Sequence, residues 1–369
     1  MPLLRLLLAI LIHVSLPVKA GGSNYLGISL GPTYITAAEF TAQQPPVSLN
    51  YIKGSQEYQS YYADALANDG VRIQSQGEWY IREGGTLVPA PPELHNTNRS
   101  QAIFVDALRK IQEAASEALQ RPVQIASVSI PQYFNHSSTE AVMEAFKEVE
   151  PSYKQPWQVI RSVAATGLAY RLNTCEAFGL DNDTCDIDEG PHLVIMVEYR
   201  ETYFQLFVAD LGAETVNIMA HVRYKNLGEN AILDVANHAN REGRAQKILQ
   251  NDDDRDAATA IEKKHFAKME NVLSEFLMKC ETTSGYPDWW DDVRAVVISG
   301  DASESGLQRL RSSVDGALGQ HKDMLLDSID PLYVEARGAA QRGRHQVLNP
   351  SFLVDKSPMG NIIVEHDEL

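Results

Sequence analysis

Gly27-Ile28-Ser29-Leu30-Gly31 spells G-x-S-x-G, the pattern in which α/β-hydrolases raise a nucleophilic serine on a sharp strand-to-helix turn. Ser29 could then attack an acyl carbon, provided that a histidine took its proton and an acid oriented that histidine. The surrounding residues favour another reading. Thr33-Tyr34-Ile35-Thr36 follows, a β-rich run where the elbow needs a helix, and the motif stands ahead of the sheet strands that should precede it. His136 and His221 have no acidic or serine partner at a meaningful spacing and read as ordinary surface or core histidines. Ser29 therefore reads as part of a glycine-flanked hairpin strand, with a serine hydrolase as the disfavoured alternative. The cysteines are Cys175, Cys185 and Cys280, without a C-x-x-C or a His/Cys spacing suited to zinc, so no metal site is expected. Cys175 and Cys185 either close a short loop in an oxidising compartment or stand as free thiols. N-x-S/T sequons mark Asn98, Asn135 and Asn182 for glycosylation in such a compartment. Trp289-Trp290, just before a core strand, reads as packing, with an exposed docking patch as the alternative.

The elements that must position these residues follow from periodicity. Tyr25 to Leu30 and Tyr34 to Phe40 form a hairpin about Gly31-Pro32. Residues 41 to 100 give weak signals: β-like pieces near Trp79 to Ile81 and a surface loop from Pro89 to Arg99. Apolar spacings of three and four from Ala102 to Leu119 predict a helix. Val123 to Ile130 is a strand stopped by Pro131, and Ser137 or Ser138 can cap a helix to about Val149. Gln158 to Val163 reads as a strand feeding a helix from Ala164 to Leu172. Strands at His192 to Tyr199, Tyr203 to Asp210 and Thr215 to Tyr224 repeat that grammar, before helices from Glu229 to Ala239 and Asp256 to Lys279. A strand from Arg294 to Ser299, a helix through Leu307, Leu310 and Val314, and a last helix from Leu332 to Arg342 complete the chain. Two halves that each open with a β-meander and continue by strand-helix alternation predict a duplicated α/β architecture with a cleft between lobes.

Several segments, in order, carry a family resemblance. Leu26-Gly27-Ile28-Ser29-Leu30-Gly31-Pro32-Thr33-Tyr34 is similar to G-I-D-L-G-T-T-Y, and Val128-Ser129-Ile130-Pro131-Gln132-Tyr133-Phe134-Asn135 to V-T-V-P-A-Y-F-N. Val159 to Tyr170 is similar to a segment ending N-E-P-T-A-A-A-L-A-Y, and Leu227-Gly228-Glu229-Asn230 to L-G-G-E. Asp330-Pro331 with Ala336-Arg337-Gly338-Ala339-Ala340 is similar to D-P-x-E-A-V-A-x-G-A-A. Together they resemble the nucleotide-binding domain of the heat shock protein 70 family, over most of residues 24 to 345. The resemblance implies the actin-like ATPase fold: two lobes of duplicated β-sheet plus helices around a central cleft, with lobe I at residues 21 to 190 and lobe II at 191 to 345.

The departures from the family pattern bear on mechanism. Hydrolysis in the family needs a hydrated cation, carboxylates that hold it and bare backbone against the phosphates. The first loop carboxylate falls on Ser29 and the next threonine on Pro32, which offers no N–H. A further acidic position falls on Ser162. The second loop, D-L-G-G-G-T-F-D-V, falls on Glu198-Tyr199-Arg200-Glu201-Thr202-Tyr203-Phe204-Gln205-Leu206, without a glycine. Arg200 reads here as one exposed cation that could pair with a phosphate without replacing a cradle, and Glu201 has the wrong sign for that task. Lys53 is the candidate by type for the family's phosphate-contacting lysine. Val297-Ile298-Ser299-Gly300-Asp301-Ala302-Ser303 resembles V-L-V-G-G-S-T-R, with the adenine-flanking arginine replaced by Ser303. The resemblance thus leaves Gly31, Thr33, Tyr34, Glu198, Gly300 and Asp301 as a degenerate nucleotide site with no catalytic residue. ATP or ADP could bind there at low affinity as the alternative reading.

At the ends, Arg5 precedes the apolar run Leu6 to Ile12, and Val18-Lys19-Ala20 before Gly21 suits signal-peptide cleavage, so residues 1 to 20 read as a leader. Residues 346 to 369 form a tail closing on His366-Asp367-Glu368-Leu369, an address read by the retrieval receptor of the endoplasmic reticulum. The chain ends about thirty residues beyond Gly338-Ala339-Ala340, too short for a peptide-binding domain. A net charge of −17 repels nucleic acid and anionic membranes, and no later run is long and apolar enough to span a bilayer. The expected protein is a lumenal glycoprotein, a non-hydrolysing accessory that meets partners from the folding machinery.

Overall fold

The computed structural model describes residues 24–67, 72–75, 78–83, 86–89, 97–151, 156–181, 185–232, 253–283 and 289–348. The leader, Asn182 and His366-Asp367-Glu368-Leu369 lie outside the described residues, as does most of the helix expected from Glu229 to Ala239. The strands are β1 (Tyr25–Leu30), β2 (Tyr34–Phe40), β3 (Val47–Lys53), β4 (Arg72–Ser75), β5 (Glu78–Glu83), β6 (Thr86–Pro89), β7 (Gln124–Ile130), β8 (Val159–Arg161), β9 (Leu193–Tyr199), β10 (Phe204–Leu211), β11 (Val216–Tyr224), β12 (Val293–Ser299) and β13 (Leu325–Leu326). The helices are α1 (Gln56–Ala67), α2 (Thr97–Leu119), α3 (His136–Val149), α4 (Ser162–Ala169), α5 (Asp253–Thr283), α6 (Trp289–Asp292), α7 (Glu304–Leu318) and α8 (Val334–Leu348).

The fold is mixed α/β, and its main sheets are two five-stranded ones built to one plan. The first runs β3-β2-β1-β7-β8 and the second β11-β10-β9-β12-β13. In each, three consecutive strands pair antiparallel, and a later strand adds in parallel beside the first of them. The central strands are buried on both faces, β9 throughout, which explains the near-continuous apolar run Leu193-Val194-Ile195-Met196-Val197. The first sheet packs on α2 and α3 through Ile28, Leu30, Phe104, Leu108, Val142 and Phe146. The second packs on α5 and α7 through Val197, Phe204, Phe266, Leu273, Leu310 and Val314. Between the sheets, α4 and α8 pack on the second through Val163, Val194, Phe207 and Val334, and α8 packs on the first through Ala336, Ala340, Ala38 and Phe40. This arrangement is compatible with a two-lobed α/β fold.

Several local expectations are corrected. The weak stretch after Phe40 contains β3 and α1, which periodicity did not reveal. β3 lies at a sheet edge and mixes polar with apolar residues on its exposed side. The buried stripe of α1 is Tyr58, Tyr62 and Leu66, so its apolar face carries hydroxyls. Those hydroxyls are used: Tyr58 donates to the Gly31 carbonyl at 2.9 Å and Tyr62 to the Leu30 carbonyl at 2.8 Å. The tyrosines thus brace the turn after β1. Asn98 and Arg99, expected in a surface loop, fall within α2. Asn135, and neither Ser137 nor Ser138, caps α3, its side chain accepting from the Ser138 N–H at 2.9 Å. Cys175 and Cys185 are joined as a disulfide across ten residues, a closure that stabilises by roughly 2–3 kcal/mol through loop entropy. Trp289 is buried in the second core, as packing requires.

Candidate functional site

Because both sheets repeat one strand order, the turn joining β1 to β2 and the turn joining β9 to β10 are equivalent, and they face each other. A side chain placed on Gly31 of the first turn would come within 2.8 Å of the Arg200 Nη1 of the second. Thr33 reaches Glu201 across the same gap, Oγ1 to Oε2 at 3.5 Å. The carboxyl end of β12 closes the site from the side. Gly300 holds φ at +136°, and a Cβ there would lie 1.8 Å from the Tyr199 carbonyl oxygen, so only glycine lets β12 turn this close to β9.

Arg200 fills the space between the turns. The expectation of an exposed cation is corrected: the side chain is buried. Its Nε donates to Glu198 Oε1 at 2.6 Å, its Nη2 pairs with Glu335, and its Nη1 lies 3.8 Å from Asp301 Oδ2. The carboxylates are held in turn. Tyr203 donates its hydroxyl to Glu198 at 2.7 Å, and Ser29 donates to Glu335 Oε2 at 2.8 Å. Asp301 Oδ1 accepts the Glu201 N–H at 3.1 Å, and the carboxylate also accepts the Thr33 N–H. One network therefore ties β1, the β9–β10 turn, β12 and the first turn of α8 together.

A single guanidinium among three buried carboxylates leaves an excess of negative charge. Burial works against the charge on Arg200, but Glu335 and Glu198 outweigh it and hold its pKa well above the ordinary value. Burial pushes Glu335 up to about 7 against the pull of Arg200, with Glu198 adding to the rise. Asp301 is raised by burial as well, with Arg200 and two backbone N–H groups opposing. A folded pKa above the unfolded one means that the native state binds the extra proton. The contribution of Glu335 to stability is thus fully present below about pH 4.5 and lost as pH rises through about 7. Comparing melting temperatures from pH 5 to 8, the native chain should lose stability relative to Glu335→Gln as pH rises. A constant difference would show that Glu335 stays ionised throughout.

The structure brings Gly31, Thr33, Tyr34, Glu198, Gly300 and Asp301 to one place, with Ser29 beside them. Ser29 lies inside β1, followed by β2 and not by a helix, and it spends its hydroxyl hydrogen on Glu335. Ser162 is buried at the start of α4. Gln205 accepts from Arg223 at 2.8 Å, and Arg223 lies over the Tyr133 ring at 4.6 Å. Lys53 is exposed and near enough to Glu201 to act on its charge. Ser303 caps α7, accepting from the Gly306 N–H at 3.1 Å. Sequence reasoning missed Glu335. Its signal is a carboxylate between Val334 and Ala336 on a small-residue helix, where burial demands a partner. Asn135 spends its side-chain oxygen on the helix cap, and of Asn98 only the backbone position in α2 is described.

Magnesium and a triphosphate do not fit these residues. The position nearest the Gly31 turn carries a guanidinium fixed by Glu198 and Glu335, and Ser29 is committed to Glu335. Among the described residues no group of three or more His, Cys, Asp or Glu is arranged to hold a metal ion, and no helix is long and apolar enough to cross a membrane. No family model matches the chain, and no curated protein matches it.

Proposed function

We propose that the chain is a degenerate relative of the heat shock protein 70 nucleotide-binding domain, with an actin-like ATPase fold, that acts in the lumen of the endoplasmic reticulum by binding a protein of the folding or quality-control machinery without hydrolysing ATP. The motifs quoted above and the repeated sheet order support the fold assignment. The Cys175–Cys185 disulfide fits an oxidising compartment, as do the leader and the terminal His366-Asp367-Glu368-Leu369. The observation that carries the non-hydrolytic reading is Arg200, buried between the two turns with Glu198, Asp301 and Glu335 around it. A buried, satisfied cation of the protein takes the place where the family would admit phosphate and metal charge, and Glu201 and Thr202 add side chains where the cradle needs bare backbone.

Room for a partner exists elsewhere. A groove of about 200 Å³ opens beside α4 and the β10–β11 turn, lined by Trp157, Ile160, Arg161, Leu211, Val216 and Arg342. β11 is the last strand of its sheet and exposes Val216 and Met219, so an extended apolar segment of a folding factor could add to it as a further strand.

Calorimetric titration of the purified chain with magnesium-ATP should give no binding at micromolar concentrations. Micromolar affinity with release of inorganic phosphate would end the reading. Mild crosslinking in the lumen should recover folding factors with the native chain and lose them with Val216→Asp/Met219→Asp. Equal recovery by both would move the partner surface away from the edge of β11.

A further inference from the structure

Beside the β1–β2 turn stands a row of tyrosines from separate elements. Tyr34 opens β2, Tyr51 belongs to β3, and Tyr333 ends the short turn Pro331–Tyr333 that precedes α8. Tyr51 is the middle ring. It meets Tyr34 edge-on at 5.6 Å and 83°, and Tyr333 at 6.4 Å and 71°. Perpendicular contacts make corners between neighbouring rings, not a closed stack. The β2–β3 register pairs Tyr34 with Lys53 and Thr36 with Tyr51, so Tyr34, Tyr51 and Lys53 share one face of the sheet, while Ile35 and Ile52 between them pack into the core. Tyr51 is 50% exposed, an unusual position for a large ring held on both sides.

Besides Lys53, the charged groups around these rings are acidic. Glu201 is close enough to Tyr34, and Asp330 to Tyr333, to act on the ionisation of those hydroxyls. Aromatic faces attract cations through the ring quadrupole, and a nearby carboxylate adds to that attraction. Guanidinium suits such a corner better than ammonium because it is planar, lies flat on a ring and is less strongly hydrated. The chain as a whole, at −17, draws basic partners toward it.

We propose that the Tyr34–Tyr51–Tyr333 corner is a binding site for an arginine side chain of a partner protein, its guanidinium laid on Tyr51 and its charge met by Glu201 and Asp330. Lys53 is the built-in competitor. It is exposed beside Glu201 and already offsets part of that charge, so an incoming arginine must share Glu201 with it. The proposal deepens the reading of the chain as a partner-binding protein by naming the partner's chemistry. It is tested with an isolated peptide, which can succeed or fail whatever the outcome of the magnesium-ATP titration and the crosslinking.

The experiment is a titration of the purified chain at low salt with a peptide carrying glycine-spaced arginines, against the same peptide with citrulline in their place. Citrulline keeps the planar group and removes the charge. The arginine peptide should bind, and the citrulline peptide should bind about tenfold or more weakly. Tyr51→Ala should weaken the arginine peptide about two- to fivefold with an unchanged melting temperature, and Tyr51→Phe should retain binding. Lys53→Ala should tighten it, and Glu201→Gln should weaken it. Absence of arginine-peptide binding, equal binding of the citrulline peptide, or indifference to Tyr51→Ala would overturn the proposal. Weaker binding by Lys53→Ala would overturn it too, since it would mark the corner as a site for anions.

Discussion

Replacing Arg200 by methionine should destabilise the protein by about 3–5 kcal/mol, one of the largest single-residue effects in the chain. Methionine fills much of the volume, so the loss is electrostatic. Glu198 would keep its bond from Tyr203 and Glu335 its bond from Ser29, but neither would retain a cation. Removing one partner from a buried ion cluster costs more than the cluster contributes, because the desolvation of the remaining charges is no longer offset. Chemical denaturation checks the size of the effect. The double variant Arg200→Met/Glu335→Gln should recover part of the loss, because it removes one of the stranded carboxylates. A single variant as stable as the native chain would show that Arg200 lies free in solution, and the case for a blocked phosphate site would go with it.

Gly338→Ala should also destabilise strongly, by a net ~2 kcal/mol or more, although alanine is the better helix former by about 1 kcal/mol. α8 threads between β1 and α4 with no room for a methyl group. A Cβ on Gly338 would stand 1.7 Å from the Ala165 carbonyl oxygen, and the obstruction is backbone that cannot rotate away. The helix would have to move, and one turn earlier it carries Glu335, so the contacts of Glu335 with Ser29 and Arg200 would loosen as well. Gly316→Ala in α7 is the matched control. Its new methyl would meet the Glu270 carboxylate at 2.8 Å, the far end of a flexible side chain, so it should be neutral or mildly stabilising. Thermal melts of the two variants side by side separate helix propensity from close packing. Equal behaviour would mean that α8 has slack against α4.

The parts of the fold legible in the sequence share a strong local signal. Tyr25 to Leu30 and Tyr34 to Phe40 carry apolar runs broken by Gly31-Pro32, and they form β1 and β2 with those bounds. The long helix near Phe266 and Leu273 and the strand into Ser299 were equally plain, because each buries one continuous apolar surface. Gly338-Ala339-Ala340 puts three small residues in a row on α8, and the helix uses them for its close approach to Ala165. What failed to show has a common cause. β3 exposes one side at a sheet edge, and α1 buries tyrosines whose hydroxyls are satisfied only by carbonyls of the β1–β2 turn. Nothing within either segment marks it as core. Similarly, Asn135 took the cap of α3 from the serines that follow it, a choice made by the backbone angle at the start of the helix.

The sequence by itself determined that Ser29 and Ser162 stand where the resemblance would place acids, and that residues 198 to 206 hold no glycine, since composition at a motif needs no folding to be read. It also determined the alternation of strands and helices from β7 to β12, because apolar periodicity is local. Only the tertiary structure decided which groups meet between the two turns. Arg200 and Glu335 stand 135 residues apart and meet because α8 returns to β1 and the two sheets set their equivalent turns face to face. The sequence shows Arg200 as a lone cation in a turn, and burial makes it the centre of an ion cluster, since the field of a charge depends on the partners and solvent that the fold places around it.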